Sequence, residues 1–331
     1  MVLVCLCCMT QLNPKRKSFL LSYHKGSPFQ TQKEVNYTAS HLLRDLPVPG
    51  FRFVQRDPNV YYAYLEGGDK RRPVSRIKTY NYFHRTTDQV RNAIPSSRKG
   101  LPDIQIDRLY YINLEHRWIR RGVMEHFMTE FSTKTGIPHQ RVLGQRGQNN
   151  TCVFYKQGRS CVGISGLAKT NVDIIETLNT TGITMVLEDD FVVTPEMYEK
   201  LLLSVKLIPD DWDIIRWDCW DKALTGFQQY TYAFQVKLDQ TLIDRCEQGS
   251  QGKGRNCHHC GGTHAMMYRG GESAQKLRKL WGKKPYNDID CRLGMDPSLK
   301  SYCIQVGIGK FHMPDGEHSD IQKQATGKKF N

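Results

Sequence analysis

Apolar residues in this chain change their spacing several times, and each change marks an element. Leu109-Tyr110-Tyr111-Ile112-Asn113-Leu114 is a compact run of strand length. It is followed by Ile119, Val123, Phe127 and Phe131, which recur along one face of a helix. Gly136-Ile137-Pro138 ends that helix. The alternation then repeats. A helix from Ile164 to Leu178 carries Leu167, Ile174, Ile175 and Leu178, Gly182 breaks it, and Ile183 to Leu187 reads as a strand. A helix over Pro195 to Leu207, strands over Trp212 to Trp217 and Thr263 to Tyr268, a helix over Glu272 to Trp281 and a strand-like Tyr302 to Phe311 complete the series. Strands alternating with helices predict an α/β domain.

Upstream the pattern dissolves. Pro47-Val48-Pro49-Gly50 and Gly67-Gly68-Asp69 interrupt only short apolar runs, which predicts a loosely ordered arm. The expected organisation is an N-terminal extension over residues 1–103, a main domain over 104–322 and a tail over 323–331. The cluster Tyr61-Tyr62-Ala63-Tyr64 is expected to dock on the main domain.

Charge sharpens this division. Of a formal net charge of +14 over 331 residues, residues 1–100 carry +11, so the extension is basic and the main domain nearly neutral. Such an arm attracts anionic surfaces without needing a fold, but a solvated extension with no specific nucleic-acid partner is the simpler reading. Eleven cysteines show no disulfide-scaffold spacing: Cys5, Cys7 and Cys8 crowd the start, and the rest scatter from Cys152 onward. Met1 to Met9 is apolar, lacks a positive leader region and is too short to span a bilayer, so no transmembrane span is evident. Glycosylation triplets at Asn36, Asn149 and Asn179 lean towards the secretory pathway, with the cytoplasm as the alternative.

The chemistry concentrates at Leu187-Glu188-Asp189-Asp190, where the strand after Gly182 ends. In open α/β sheets that edge is where ligands bind. Adjacent carboxylates repel one another and resist desolvation, and a divalent cation relieves both costs. Strand alternation sends Glu188 and Asp190 to one side, where they can share Mn²⁺ or Mg²⁺, and Asp189 to the other, towards a ligand ribose or the backbone. Oxygen-only ligands argue against zinc. An acidic surface turn is the plainer reading of three acids taken by themselves.

Seven segments in one order resemble glycosyltransferase family 25, which contains lipooligosaccharide and procollagen galactosyltransferases. Ile112-Asn113-Leu114-Glu115-His116-Arg117 with Arg120-Arg121 resembles the family's opening Ile-Asn-Leu and paired arginines. Cys161-Val162-Gly163-Ile164-Ser165-Gly166 resembles its Gly-Cys-x-x-Ser-His segment, with Gly166 in the histidine's place. The Leu-Glu-Asp-Asp signature is intact, and Pro209 to Asp213 resembles the Pro-Asp-Asp-Trp-Asp that follows it. Gly262-Thr263-His264-Ala265, continued by Met266 and Met267, resembles Gly-Thr-x-Ala-Tyr. Asp290-Cys291-Arg292-Leu293 resembles Asp-x-x-Leu, and Ser319-Asp320-Ile321 resembles the closing Ser-x-Ile.

The resemblance implies a glycosyltransferase A-type, Rossmann-like fold: a mixed, mainly parallel sheet flanked by helices, with the donor over the strand C-termini. It implies a metal-dependent, inverting transfer of a hexose, galactose above all, from a uridine diphosphate sugar to a hydroxyl of a glycan or protein acceptor. Under that reading Glu188 and Asp190 hold the metal, completed by His312. Asn113, Arg117, Arg120, Ser165 and Asp189 serve the nucleotide-sugar donor. Asp290 is the expected base for the acceptor hydroxyl and Asp288 its second candidate, although Asp after Pro285-Tyr286-Asn287 also suits a turn. The alternative is a catalytically silent protein of the same fold that binds nucleotide-sugar or glycan, motivated by Gly166 and Met267. Cys257-His258-His259-Cys260 fits either a zinc site or a disulfide with Cys246.

Overall fold

The computed structural model describes residues 50–57, 60–69, 71, 73, 75–80, 85–145, 161–178, 181–219, 229–236, 262–281, 289, 298–307 and 309–312. All of them belong to one compact unit, Val48–Asn331. Its strands are β1 (Phe51–Asp57), β2 (Val60–Leu65), β3 (Ser75–Tyr80), β4 (Arg108–Asn113), β5 (His139–Leu143), β6 (Ile183–Glu188), β7 (Phe191–Val192), β8 (Ile214–Trp217), β9 (Gln229–Tyr230), β10 (Ala233–Val236), β11 (Ala265–Arg269), β12 (Ser301–Ile304) and β13 (Gly309–His312). The helices are α1 (Thr87–Ala93), α2 (Trp118–Thr135), α3 (Cys161–Glu176), α4 (Pro195–Val205) and α5 (Glu272–Trp281).

The main sheet has eight strands in the order β5-β4-β6-β11-β8-β12-β10-β9. β4 pairs in parallel with β5 and β6, and β8 with β12. β11 runs antiparallel between β6 and β8, and β10 runs antiparallel to both its neighbours. The sheet is therefore mixed, as expected, but less parallel than expected, because β11 and β10 reverse direction within it.

Strand alternation sorts its side chains into two cores. Leu109 and Tyr111 of β4, with Met185 and Leu187 of β6, face Val123, Met124, Phe127, Met128 and Phe131 of α2 and Leu201 and Val205 of α4. Ile112, Val186, Met266 and Tyr268 face the other way, onto Ala168, Val172 and Ile175 of α3 and Ala274 and Leu277 of α5. Helices thus cover both sheet faces, the arrangement that permits strands apolar along their whole length. Fully burying one such side chain stabilises the fold by roughly 1.5–3 kcal/mol. Gly136, in the left-handed region at φ 75°, ends α2 and donates its N–H to the Ser132 carbonyl.

The expected boundary at residue 103 does not hold. Residues 51–80 form an antiparallel meander, β1-β2-β3, which continues through β13 to β7 as a five-stranded second sheet. Phe51 and Phe53 pack on α2, and Ala63, Tyr64, Val90 and Ile94 are buried. Within the tyrosine cluster, Ala63 joins the main core, and Tyr64 is buried with the Arg52 guanidinium over its ring. The rest of the extension, residues 1–49, and the tail 323–331 lie outside the described residues.

A disulfide joins Cys219, just beyond β8, to Cys303 of β12, closing a loop of 84 residues. Loop closure of this kind stabilises by about 2–4 kcal/mol, chiefly through the unfolded chain. Reductant is accordingly expected to lower the melting temperature of the protein, and the Cys303→Ser variant to melt low with or without reductant. A melting temperature indifferent to reductant would show the bond to be absent.

Candidate metal centre and its arginine neighbours

β4 and β6 run side by side and end together, with Ile112 opposite Glu188, so Asn113 and the acidic turn share one edge. β11 runs the opposite way and begins at that edge. His264, immediately before β11, accepts through its carbonyl from the Glu188 N–H at 2.8 Å. This pairing, set by the β6–β11 register, carries the His264 ring to the acids.

Glu188, Asp190 and His264 each present a ligand atom, and these atoms all lie within 4.8 Å of one another. The cluster is half-buried. The Thr263 hydroxyl donates to Glu188 Oε1 at 2.7 Å, and the His264 ring stacks nearly parallel on Phe191, 7° between planes. Both contacts orient a ligand from outside the cluster, as metal sites require. These three residues could hold a divalent ion. Two carboxylates and an imidazole form a mixed oxygen and nitrogen set, acceptable to Mn²⁺ and also to zinc, so the oxygen-only argument against zinc no longer applies.

The histidine expected here was His312. His312 ends β13, with its backbone opposite Lys78, and its side chain lies outside the described residues; among those residues His264 is the histidine that joins the two acids. The sequence placed His264 within a motif but gave it no role. A histidine far along the chain becomes a ligand through strand pairing, and pairing leaves no local spacing signal.

Asp189 points away from Glu188 and Asp190, as alternation predicts, into a buried polar network. Its Oδ2 accepts from Asn113 Nδ2 and its Oδ1 from Arg120 Nη1, both at 2.8 Å. Arg141 of β5 donates from Nε to Asn113 Oδ1 at 3.1 Å, which fixes the amide with its NH₂ group towards Asp189. Asn113 also donates to the Arg117 carbonyl at 3.2 Å. Both Asp189 oxygens are thus engaged within the protein. Burial pushes the Asp189 carboxyl above its ordinary value. Arg120 opposes this, the neighbouring Asp190 charge adds to it, and Arg117 lowers it again. An ion held by Asp190 would cancel that neighbour's repulsion, so metal binding and ionisation of Asp189 favour each other.

No family model matches this chain, and no curated protein matches it either.

The first turn of α2 is electrostatically unusual. It holds no acidic residue, whereas Arg117, Arg120 and Arg121 crowd the end of the helix where the macrodipole is already positive. Asp189 supplies one compensating anion. Arg141 was not anticipated from the sequence, since a single arginine in the short strand His139-Gln140-Arg141-Val142-Leu143 reads as an outward-facing charge. It is instead buried, with its guanidinium reaching Glu115 as well as Asn113.

Ser165 is buried on α3, and Gly166 beside it lends its carbonyl to the Thr170 hydroxyl at 2.8 Å. Asp288 and Asp290 lie outside the described residues, as do Cys246 and the Cys257–Cys260 loop. Ile289 between the two acids is described and buried in the α3–α5 core. At the same sheet edge Asp218 adopts φ 50°, and its Oδ1 accepts from the N–H groups of Val306 and Gly307 at 3.1 and 3.0 Å. That contact ties the end of β8 to the chain after β12.

Proposed function

We propose that this protein is a metal-dependent, inverting glycosyltransferase of the family 25 type, moving a hexose, galactose first among candidates, from a uridine diphosphate sugar to a hydroxyl of a glycan or protein. One observation carries the reading: a carboxylate and imidazole cluster at the ligand-binding edge of an α/β sheet, flanked by an arginine-rich helix start. A nucleotide-sugar needs both parts, because its diphosphate is an anion that leaves with added charge. The ordered motifs along residues 109–321 support the same reading.

Glu188, Asp190 and His264 would hold the ion, which when bound supplies a Lewis acid at the leaving diphosphate. Arg117 and Arg120 bring positive charge to the same edge, and the dipole of α2 adds to it. Arg141 holds Asn113, Asn113 and Arg120 hold Asp189, and this chain of contacts fixes the strand ends against which a nucleotide is oriented. Asp290 is the proposed base, taking the proton from the acceptor hydroxyl as it attacks opposite the departing diphosphate.

The test is a donor screen with Mn²⁺, read by product mass, with Asp190→Ala as control. Transfer or slow donor hydrolysis that disappears in the variant supports the proposal. Saturable donor binding with neither reaction, across all donors tried, rejects it in favour of a silent binding protein, the reading that Gly166 in place of histidine would then explain.

A further inference from the structure

A cavity of about 540 Å³ opens between β1 and α2 and is separate from the metal centre. Its floor is aromatic. The His126 ring stacks on Phe53 at 4.2 Å and 19°, Phe53 meets Phe127 edge-on, and Phe51 stacks on Trp118, which is 43% exposed. Gly122 makes this floor possible, because a Cβ there would fall 2.2 Å from the Phe51 ring.

The rim is acidic. Glu125 and Glu130 line the cavity, and no lysine or arginine is among its described lining residues, in a chain whose formal charge is +14. Gly50, also in the lining, lies directly against the Glu66 carboxylate and brings a third acid near the opening. Glu125 is held by two neighbours: the Tyr111 hydroxyl donates to one oxygen, and His139 Nε2 lies 3.5 Å from the other. Although burial works against it, these hydrogen bonds keep its carboxyl below the ordinary range, so it is charged at neutral pH. Burial pushes His126 the other way and keeps its imidazole neutral, an aromatic face rather than a competing cation.

We infer that this cavity binds an alkylammonium group, its carbon chain against Phe51 and Phe53 and its charge towards Glu130 and Glu125. The methylenes next to the nitrogen carry part of its charge and are drawn to ring faces, carboxylates at the rim add direct charge pairing, and a neutral ligand gains from neither. Lys134, one helical turn away and outside the lining, pairs with Glu130 at 2.9 Å, so an incoming ligand competes with it for that carboxylate.

Titration of the full chain with n-butylammonium chloride, followed by calorimetry and tryptophan emission, tests this, with 1-butanol as the neutral isostere. The expected result is saturable binding at one site, at least about tenfold tighter than butanol, the equivalent of about 1.4 kcal/mol. Glu130→Gln should weaken it about tenfold, Phe53→Leu should weaken it while keeping apolar bulk, and Lys134→Gln should tighten it. Each variant's melting curve checks that the fold is kept. Equal binding of butanol and butylammonium, no saturation, or affinity unmoved in both Glu130→Gln and Phe53→Leu would overturn the inference.

Discussion

Replacing His264 with alanine is expected to weaken Mn²⁺ binding by more than about 100-fold, beyond the range seen when only an outer partner of a ligand is lost. The cluster offers three protein ligands, and removing the imidazole leaves two carboxylates that repel each other without a third donor. His312→Ala is the matched control. The described cluster already holds an imidazole, so this substitution should change metal affinity far less. Calorimetric titration of Mn²⁺ into both variants separates the two histidines without reference to activity. An equal loss in both, or a loss in His312→Ala only, would return the metal site to the sequence-based assignment.

The second large effect is expected at Arg120. Its guanidinium bonds a carboxylate that is almost wholly buried, and removal of one partner from a buried pair costs about 3–5 kcal/mol, because the other charge is left uncompensated. Arg120→Met should therefore melt well below the parent at pH 7. The pH dependence identifies the cause. Asp189 already has a folded-state value above its ordinary 3.8, and loss of Arg120 raises it further. A folded state that binds the proton more readily than the unfolded one loses stability as pH rises through that window. The deficit of Arg120→Met should be largest at neutral pH and shrink on acidification, towards the unfolded carboxyl's value. Asp189→Asn in the same background should recover part of the stability at pH 7, since an amide carries no charge to strand. A deficit independent of pH would show that Arg120 acts by packing.

Much of the fold was legible because strands buried on both faces give unbroken apolar runs. Leu109 to Leu114 and Ile183 to Leu187 were placed within a residue of β4 and β6, and the helix over Glu272 to Trp281 coincides with α5. The expected direction of Asp189 against Glu188 and Asp190 also followed from alternation. What was missed depends on pairing between distant segments. β1, β2 and β3 were read as a loose arm, because short strands separated by Gly and Pro carry little periodicity until partners are known. His264 and Arg141 were overlooked for the same reason: β11 against β6, and β5 against β4, bring them to the site. Local chemistry announces the acids, whereas the sheet register chooses the histidine and the arginine that accompany them.

That dependence extends to the shortest strand. β7 is two residues long and begins directly after Asp190, and its partner in the second sheet is β13, which in turn leans on β3. The acidic turn is therefore gripped at both ends, by β6 in the large sheet and by β7 in the small one. A chain cut at residue 104, the natural choice from composition, would strip β13 of its other neighbour and leave Asp190, the candidate metal ligand, at the loose end of a frayed edge. Of the basic first third, residues 51–80 therefore belong to the foundation of the acidic turn.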